Sequence, residues 1–212
     1  MTHPPTRKSH PLSLFDRLYL PFFYLLRSWK YDLPENKVGW RSRQNQELRF
    51  RALAGIGDLR GKSILDLGCG LGCFYSYLKA GGWTGDYTGI DILGPMVRGA
   101  RKRFPEARFE KRDILQNPLR EKWDYVFANG VFNHKVKDNW AWIEAMVRQS
   151  FDVCRCGMAF TLLNRNIGWL DQDLFYSTPG ELEEKVRVWS GGKYRIVTGY
   201  LEEDMAAHLL KG

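Results

Sequence analysis

Three carboxylates and three glycines carry the most specific chemistry in this chain. Asp66 lies in Ile64-Leu65-Asp66-Leu67-Gly68-Cys69-Gly70-Leu71-Gly72, an apolar run of strand length that breaks into glycines at spacing two. Such glycines turn the backbone sharply and let a ligand lie against it without Cβ obstruction, just ahead of a helix N-terminus. A dinucleotide fingerprint has an apolar residue where Asp66 stands and a glycine where Cys73 stands. An acid here suits a cation better than a pyrophosphate. Nineteen residues after Gly72 a second run ends in Asp91, where a carboxylate can accept from both hydroxyls of a ribose, and Ile92 follows as a surface for a purine face. A third run ends in Asp113-Ile114, with a carboxylate suited to the amino group of adenine. One Asp at a strand end most often caps the next turn. Three in succession, with the glycine loop before the second, read as a single nucleoside-binding edge.

The elements that must hold these residues follow from periodicity. Short apolar runs at 63–68, 87–92, 108–114, 123–131 and 157–163 alternate with helix-sized pieces such as GCFYSYLKAGG and GPMVRGARKRF. Asp138 is placed to cap a helix whose Ile143, Met146, Val147 and Phe151 share a face, and Thr178-Pro179-Gly180-Glu181 is a capping box. KYRIVTGY and DMAAHLLK, joined by the short Leu201-Glu202-Glu203 link, must be antiparallel neighbours. The expected fold is α/β: a doubly wound, mostly parallel sheet with helices on both faces and an antiparallel final strand pair. Its ligand site belongs outside the carboxyl ends of the strands.

The chain has 212 residues with 44% hydrophobic content, enough for one core of ordinary size, and no internal repeat. Its formal charge of +8 is uneven: residues 1–60 hold 11 basic and 5 acidic side chains, residues 61–212 hold 21 and 19. Any anionic partner therefore meets the N-terminal arm. Residues 1–44 read as an extension, with a disordered leader followed by short amphipathic helices broken at Pro21, and residues 45–212 as the main domain. The apolar stretch from Leu12 to Trp29 is interrupted by Asp16, Arg17, Pro21 and Arg27, which argues against a signal peptide or a membrane span. Two readings of residues 12–30 stand open: a helix covering the core or lidding a pocket, and an interfacial helix with its aromatic side in a membrane surface and arginines at lipid phosphates. Cys69, Cys73, Cys154 and Cys156 fit neither a zinc pattern nor a disulfide framework, so reduced thiols in a cytoplasmic protein without a bound metal are expected.

ILDLGCGLG, YTGIDI, RFEKRDI and WDYVFANGVF, in this order and spacing, resemble the class I S-adenosylmethionine-dependent methyltransferases over about residues 60–165. The resemblance implies a seven-stranded, Rossmann-like sheet and S-adenosyl-L-methionine as cofactor, with S-adenosyl-L-homocysteine as product. It implies that Asp66, with the backbone of Gly68, Cys69, Gly70 and Gly72, meets the methionine part. Asp91 and Ile92 would then meet the ribose, and Asp113 with Ile114 the base. In similar small members the segment ahead of the first strand folds over the cofactor, which would bring Arg49 to the methionine carboxylate and Trp40 to the pocket wall, unless this is simply a solvated basic helix face.

Methyl transfer is an in-line displacement in which alignment supplies most of the rate, and a base is needed only for a proton still on the acceptor. The groups following the fourth strand are Asn129, beside the cofactor, then Asn133 and His134 as catalytic candidates; an unperturbed histidine pKa of about 6.5 suits a general base. Asn164, Arg165 and Tyr176 are placed after the fifth strand to line an acceptor pocket. Ala128-Asn129-Gly130-Val131-Phe132 lacks the Pro-Pro-Tyr pattern of nucleobase amino methylation, and neither Cys154 nor Cys156 follows a proline as a cytosine-attacking thiolate would. A small molecule or sugar-type metabolite with an O or N acceptor is the expected substrate. Two alternatives stay open: RNA or a lipid-linked glycan recruited by the basic arm, and a cofactor-binding partner subunit without catalysis.

Overall fold

A computed structural model describes residues 10–19, 21–22 and 42–212. The leader at 1–9 and most of the arm, Trp40 included, lie outside the described residues. Residues 14–19 and 21–22 are helical. Five helices follow: α1 (Arg43–Ala54), α2 (Cys73–Ala80), α3 (Gly94–Arg103), α4 (Asn139–Val153) and α5 (Pro179–Ser190). They alternate with β1 (Ile64–Leu67), β2 (Tyr87–Asp91), β3 (Arg108–Lys111), β4 (Trp123–Ala128), β5 (Cys154–Asn164), β6 (Tyr176–Ser177), β7 (Tyr194–Val197) and β8 (Asp204–Leu210).

The sheet runs β3-β2-β1-β4-β5-β8-β7. Every pairing among the first five is parallel, whereas β8 runs antiparallel to both β5 and β7. This is the expected fold, with one addition. The two-residue β6 pairs Leu163 and Asn164 of β5 outside the main path, making eight strands. Parallel strands covered on both faces are apolar throughout, and β1 and β2 are buried at every residue. Successive residues feed opposite layers. Leu65, Leu67, Val126 and Ala128 join α4 and α5 in one core, while Ile64, Tyr125 and Phe127 join Phe50, Leu53 and Phe74 of α1 and α2 in the other.

Helix ends obey the local chemistry. Asp138 accepts from the Ala141 amide at 2.9 Å, Ser42 from Asn45, and Thr178 with Glu181 forms the reciprocal capping box. β3 ends at Lys111 rather than at 114. Asp113 instead opens a turn, its carboxylate accepting from the Leu115 amide at 3.0 Å, and this directs Ile114 inward.

Candidate active site

The carboxyl ends of β1, β2 and β4 open into a cavity of about 560 Å³. Its floor is the glycine loop between β1 and α2, where Gly68, Gly70 and Gly72 have φ of 68°, 52° and 77°. Only glycine takes this left-handed backbone without strain. A Cβ on Gly68 would stand 2.6 Å from Val131 Cγ2, so the loop lies too close to β4's exit for any side chain.

Two buried acids organise the loop. Asp91 is 9% exposed; its Oδ2 accepts from the Gly70 amide at 2.9 Å and its Oδ1 from the Leu93 amide at 2.8 Å. Burial raises its pKa, and these backbone donors oppose the rise. Asp66 is 2% exposed, and the Tyr87 hydroxyl donates to its Oδ2 at 2.5 Å. Burial pushes its carboxyl up to about 7, the Tyr87 bond pulls it down, and the charge of Asp91 adds to the rise. An acid held this way ionises readily beside a cation.

Asp66, Gly68, Cys69, Gly70, Asp91, Ile92, Asp113, Ile114 and Asn129 all line the cavity. Gly72 does not line it; as the N-cap of α2, it turns the loop into the helix. Asn129 is oriented by Thr161, which donates to Asn129 Oδ1 at 3.3 Å and accepts from the Gly130 amide at 2.8 Å. Asp113 is less free than expected. Gln116 Nε2 donates to it at 2.5 Å, and His10 Nε2 of the arm stands 3.7 Å from the same oxygen.

Several expected site residues are placed elsewhere. Arg49 does not line the cavity: its guanidinium is buried against Asp204 at 2.6 Å and reaches Glu203 at 3.5 Å, tying α1 to β8. His134 is 5% exposed in an isolated bridge with Leu174, and neither it nor Asn133 borders the cavity. The Asn133 carbonyl accepts from the Phe175 amide, so this stretch pins the loop after β5. That loop uses the other three. Asn164 donates to the Glu202 carbonyl, Arg165 to the Tyr176 carbonyl, and the Tyr176 hydroxyl accepts from the Asp171 amide, all away from the cavity.

Other residues take the wall. Gln46 and Phe50 of α1, Trp142 and Met146 of α4, and Leu12, Leu14, Asp16, Arg17, Leu18 and Pro21 of the arm border the space. The α1 pair was not among the expected site residues, although Ser42, Gln46 and Phe50 share one helix face behind the N-cap, a spacing that could have found it. In the sequence the arm stood open to two readings, one of them a helix lidding a pocket, while α4 offered no signal because its meeting with the arm is long-range.

The methyltransferase domain family matches residues 64–157, from β1 into β5. A provisionally described methyltransferase of Mycobacterium tuberculosis is 38% identical over 123 residues, which cover 55% of this chain and 74% of the relative. The trans-aconitate 2-methyltransferase of Rhizobium meliloti is 36% identical over 80 residues, covering 38% of this chain but only 31% of that enzyme. Among solved structures, the magnesium protoporphyrin IX methyltransferase of Synechocystis with bound S-adenosylhomocysteine superposes with a TM-score of 0.69 at 15% identity, over 93% of this chain and all of that one. A 1,6-didemethyltoxoflavin-N1-methyltransferase of Burkholderia thailandensis also reaches 0.69 at 17% identity, covering 99% of this chain and 93% of that one. With its strand order and glycine loop, this chain belongs to the class I S-adenosylmethionine-dependent methyltransferases. It is an S-adenosylmethionine-dependent enzyme, and the cavity fits that cofactor. The Cβ-free cradle takes a backbone-hugging ligand, and the donor set pairs buried carboxylates with an apolar Ile92 that is 43% exposed.

Proposed function

We propose that this enzyme methylates an O or N atom of a small molecule with an apolar body. The supporting observation is the roof of the cavity. Leu12, Leu14 and Leu18 of the arm and Trp142 and Met146 of α4 line one space of single-molecule size. A groove for a polymer needs open ends and free cations. Here two cations of the basic run on α3 are engaged internally, Arg101 with the Phe109 carbonyl and Arg103 with the Leu71 carbonyl.

Asp66 and the loop amides would hold the methionine part, Asp91 the ribose hydroxyls, and Ile92 with Ile114 the base. The bound cofactor supplies an electrophilic methyl on a cationic sulfur, which leaves as a neutral thioether. Ionised Asp66 would balance the cofactor's cationic end. Asn129, fixed by Thr161, presents a polar side chain at the exit of β4, where the acceptor atom must align. With His134 away from the cavity, alignment carries the rate and an acceptor proton leaves to solvent.

The test is transfer of labelled methyl from S-adenosylmethionine into a host-cell extract, followed by fractionation. Label in low-mass molecules is the expected result. Label confined to RNA or protein overturns this reading, and failure of the isolated chain to transfer any label favours a non-catalytic partner subunit.

A further inference from the structure

The described part of the arm is held at two anchors. His10 Nε2 stands 3.7 Å from Asp113 at the adenine edge. Asp16, 6% exposed, accepts from the Ser13 hydroxyl at 2.6 Å and from the Lys137 amide at 3.3 Å, in the segment that follows β4. Leu14, Arg17, Leu18 and Pro21 recur at i, i+3, i+4 and i+7 along the arm's helical residues, and all four line the cavity. Arg17 is thus the cation of an otherwise apolar inner face, one residue past the anchor on the β4 side. Among the described residues its guanidinium meets no carboxylate and no carbonyl. The other cations bordering the cavity are placed differently. Lys111 and Arg112 stand beside Asp113 at the adenine edge, and Arg112 donates to the Asn117 and Pro118 carbonyls.

The cavity also offers little to take a proton from an acceptor. Among the described residues no histidine or tyrosine lines it, and its carboxylates are engaged: Asp66 by Tyr87, Asp91 by the Gly70 and Leu93 amides, Asp113 by Gln116, Asp16 by Ser13 and Lys137. An alcohol or an ammonium group must shed a proton to be methylated, whereas a carboxylic acid has already lost its proton to water at neutral pH.

We infer that the acceptor is a carboxylate on an apolar body, held by Arg17 and methylated on oxygen to an ester. One carboxylate oxygen accepts from the guanidinium, whose fork of donors matches that group. The other oxygen bonds to the methyl carbon as the carbon–sulfur bond breaks, and the electron pair of the broken bond stays on sulfur. An anion and a sulfonium become a neutral ester and a neutral thioether, so no proton moves and no base is required. Leu14 and Leu18, 71% and 68% exposed, supply apolar surface for the rest of the molecule. Arg17 is then a specificity-determining residue, and this assignment rests on the small-molecule reading above.

The labelling experiment tests it with one added step, mild alkali on the low-mass fraction. A methyl ester gives up its label as volatile methanol, while methyl ethers and N-methyl groups keep theirs. Release as methanol is expected. Alkali-stable low-mass label overturns the carboxylate acceptor but leaves the small-molecule reading standing, and label in polymers, or none, overturns that reading itself. Arg17→Gln and Arg17→Lys are then compared with wild type by initial rate on the same low-mass extract at several dilutions. The glutamine variant should need at least about tenfold more extract for its half-maximal rate and the lysine variant less, with S-adenosylhomocysteine bound as in wild type. An unchanged dependence on extract overturns the role of Arg17. So does a parallel loss of S-adenosylhomocysteine affinity, which would assign Arg17 to the carboxylate of the cofactor.

Discussion

Asp66 makes cofactor binding a proton-linked event. Its folded carboxyl titrates at about 7 against an ordinary value of 3.8, so between those limits the native chain holds a proton that the unfolded chain has lost. This group's contribution to stability is therefore full below about pH 4 and is lost as pH rises through about 7. The cationic cofactor favours the ionised form and shifts the balance back. Titration calorimetry in two buffers at about pH 6 is expected to show proton release on binding S-adenosylmethionine, and affinity should rise toward about pH 8. Tyr87→Phe removes the hydroxyl that favours ionisation; a severalfold loss of affinity at neutral pH, with kcat at saturation retained, is the expected signature. Asp91→Ala leaves the Gly70 and Leu93 amides without their acceptor and should weaken S-adenosylhomocysteine binding by about a hundredfold, consistent with charge-assisted bonds of roughly 1.5–3 kcal/mol. The acids at 66 and 91 were legible because glycine loop and strand end are local in sequence. His134 was not: a bridge to Leu174, forty residues on, decides its placement.

At the scale of elements, α1 is held to the sheet by charge as well as by Phe50 and Leu53. Arg49 and Asp204 form a buried pair, and the Tyr200 hydroxyl donates to the same carboxylate. Burial pushes Asp204 up to about 6, with Arg49 and Tyr200 restraining the rise. Arg49→Ala would strand a buried carboxylate, and urea unfolding should report a loss of about 3–5 kcal/mol. Pairing it with Asp204→Leu should restore much of that loss. A direct cofactor contact by Arg49 predicts the opposite pattern, lost affinity with stability intact. Sequence pattern located α2, α4, α5 and the parallel strands because each carries its own periodicity or cap. It extended β3 too far, since the turn at Asp113 depends on one side-chain bond, and it gave no sign of β6, two residues within a loop. The partner of Arg49 lies 155 residues away, beyond any local pattern.

For the whole molecule, the division between a cofactor edge built from local motifs and a roof assembled from distant segments explains what could be read. Alternating strands and helices define the sheet order, while the roof assembles from the arm, α1 and α4, which are far apart in the chain. Deleting residues 1–22 should leave the unfolding transition of the sheet in place yet lower S-adenosylhomocysteine affinity by about tenfold, or 1.4 kcal/mol, as one wall of the cavity is removed. Among the described residues no helix is long and apolar enough to cross a membrane. The position of β8 has a temporal consequence. It lies between β5 and β7, pairs with β5 from Leu163↔Asp204 to Gly157↔Leu210, and receives Arg49 of α1. During translation the glycine loop emerges early, and the helix bearing Gln46 and Phe50 finds Phe74 and Tyr77 of α2 soon after, but its buried Arg49 has no carboxylate partner until residues 203–204 have left the ribosome. The nascent enzyme must therefore wait with an open sheet edge, and a premature stop codon before Asp204 would yield a chain exposed to chaperones and proteases rather than a shortened catalyst.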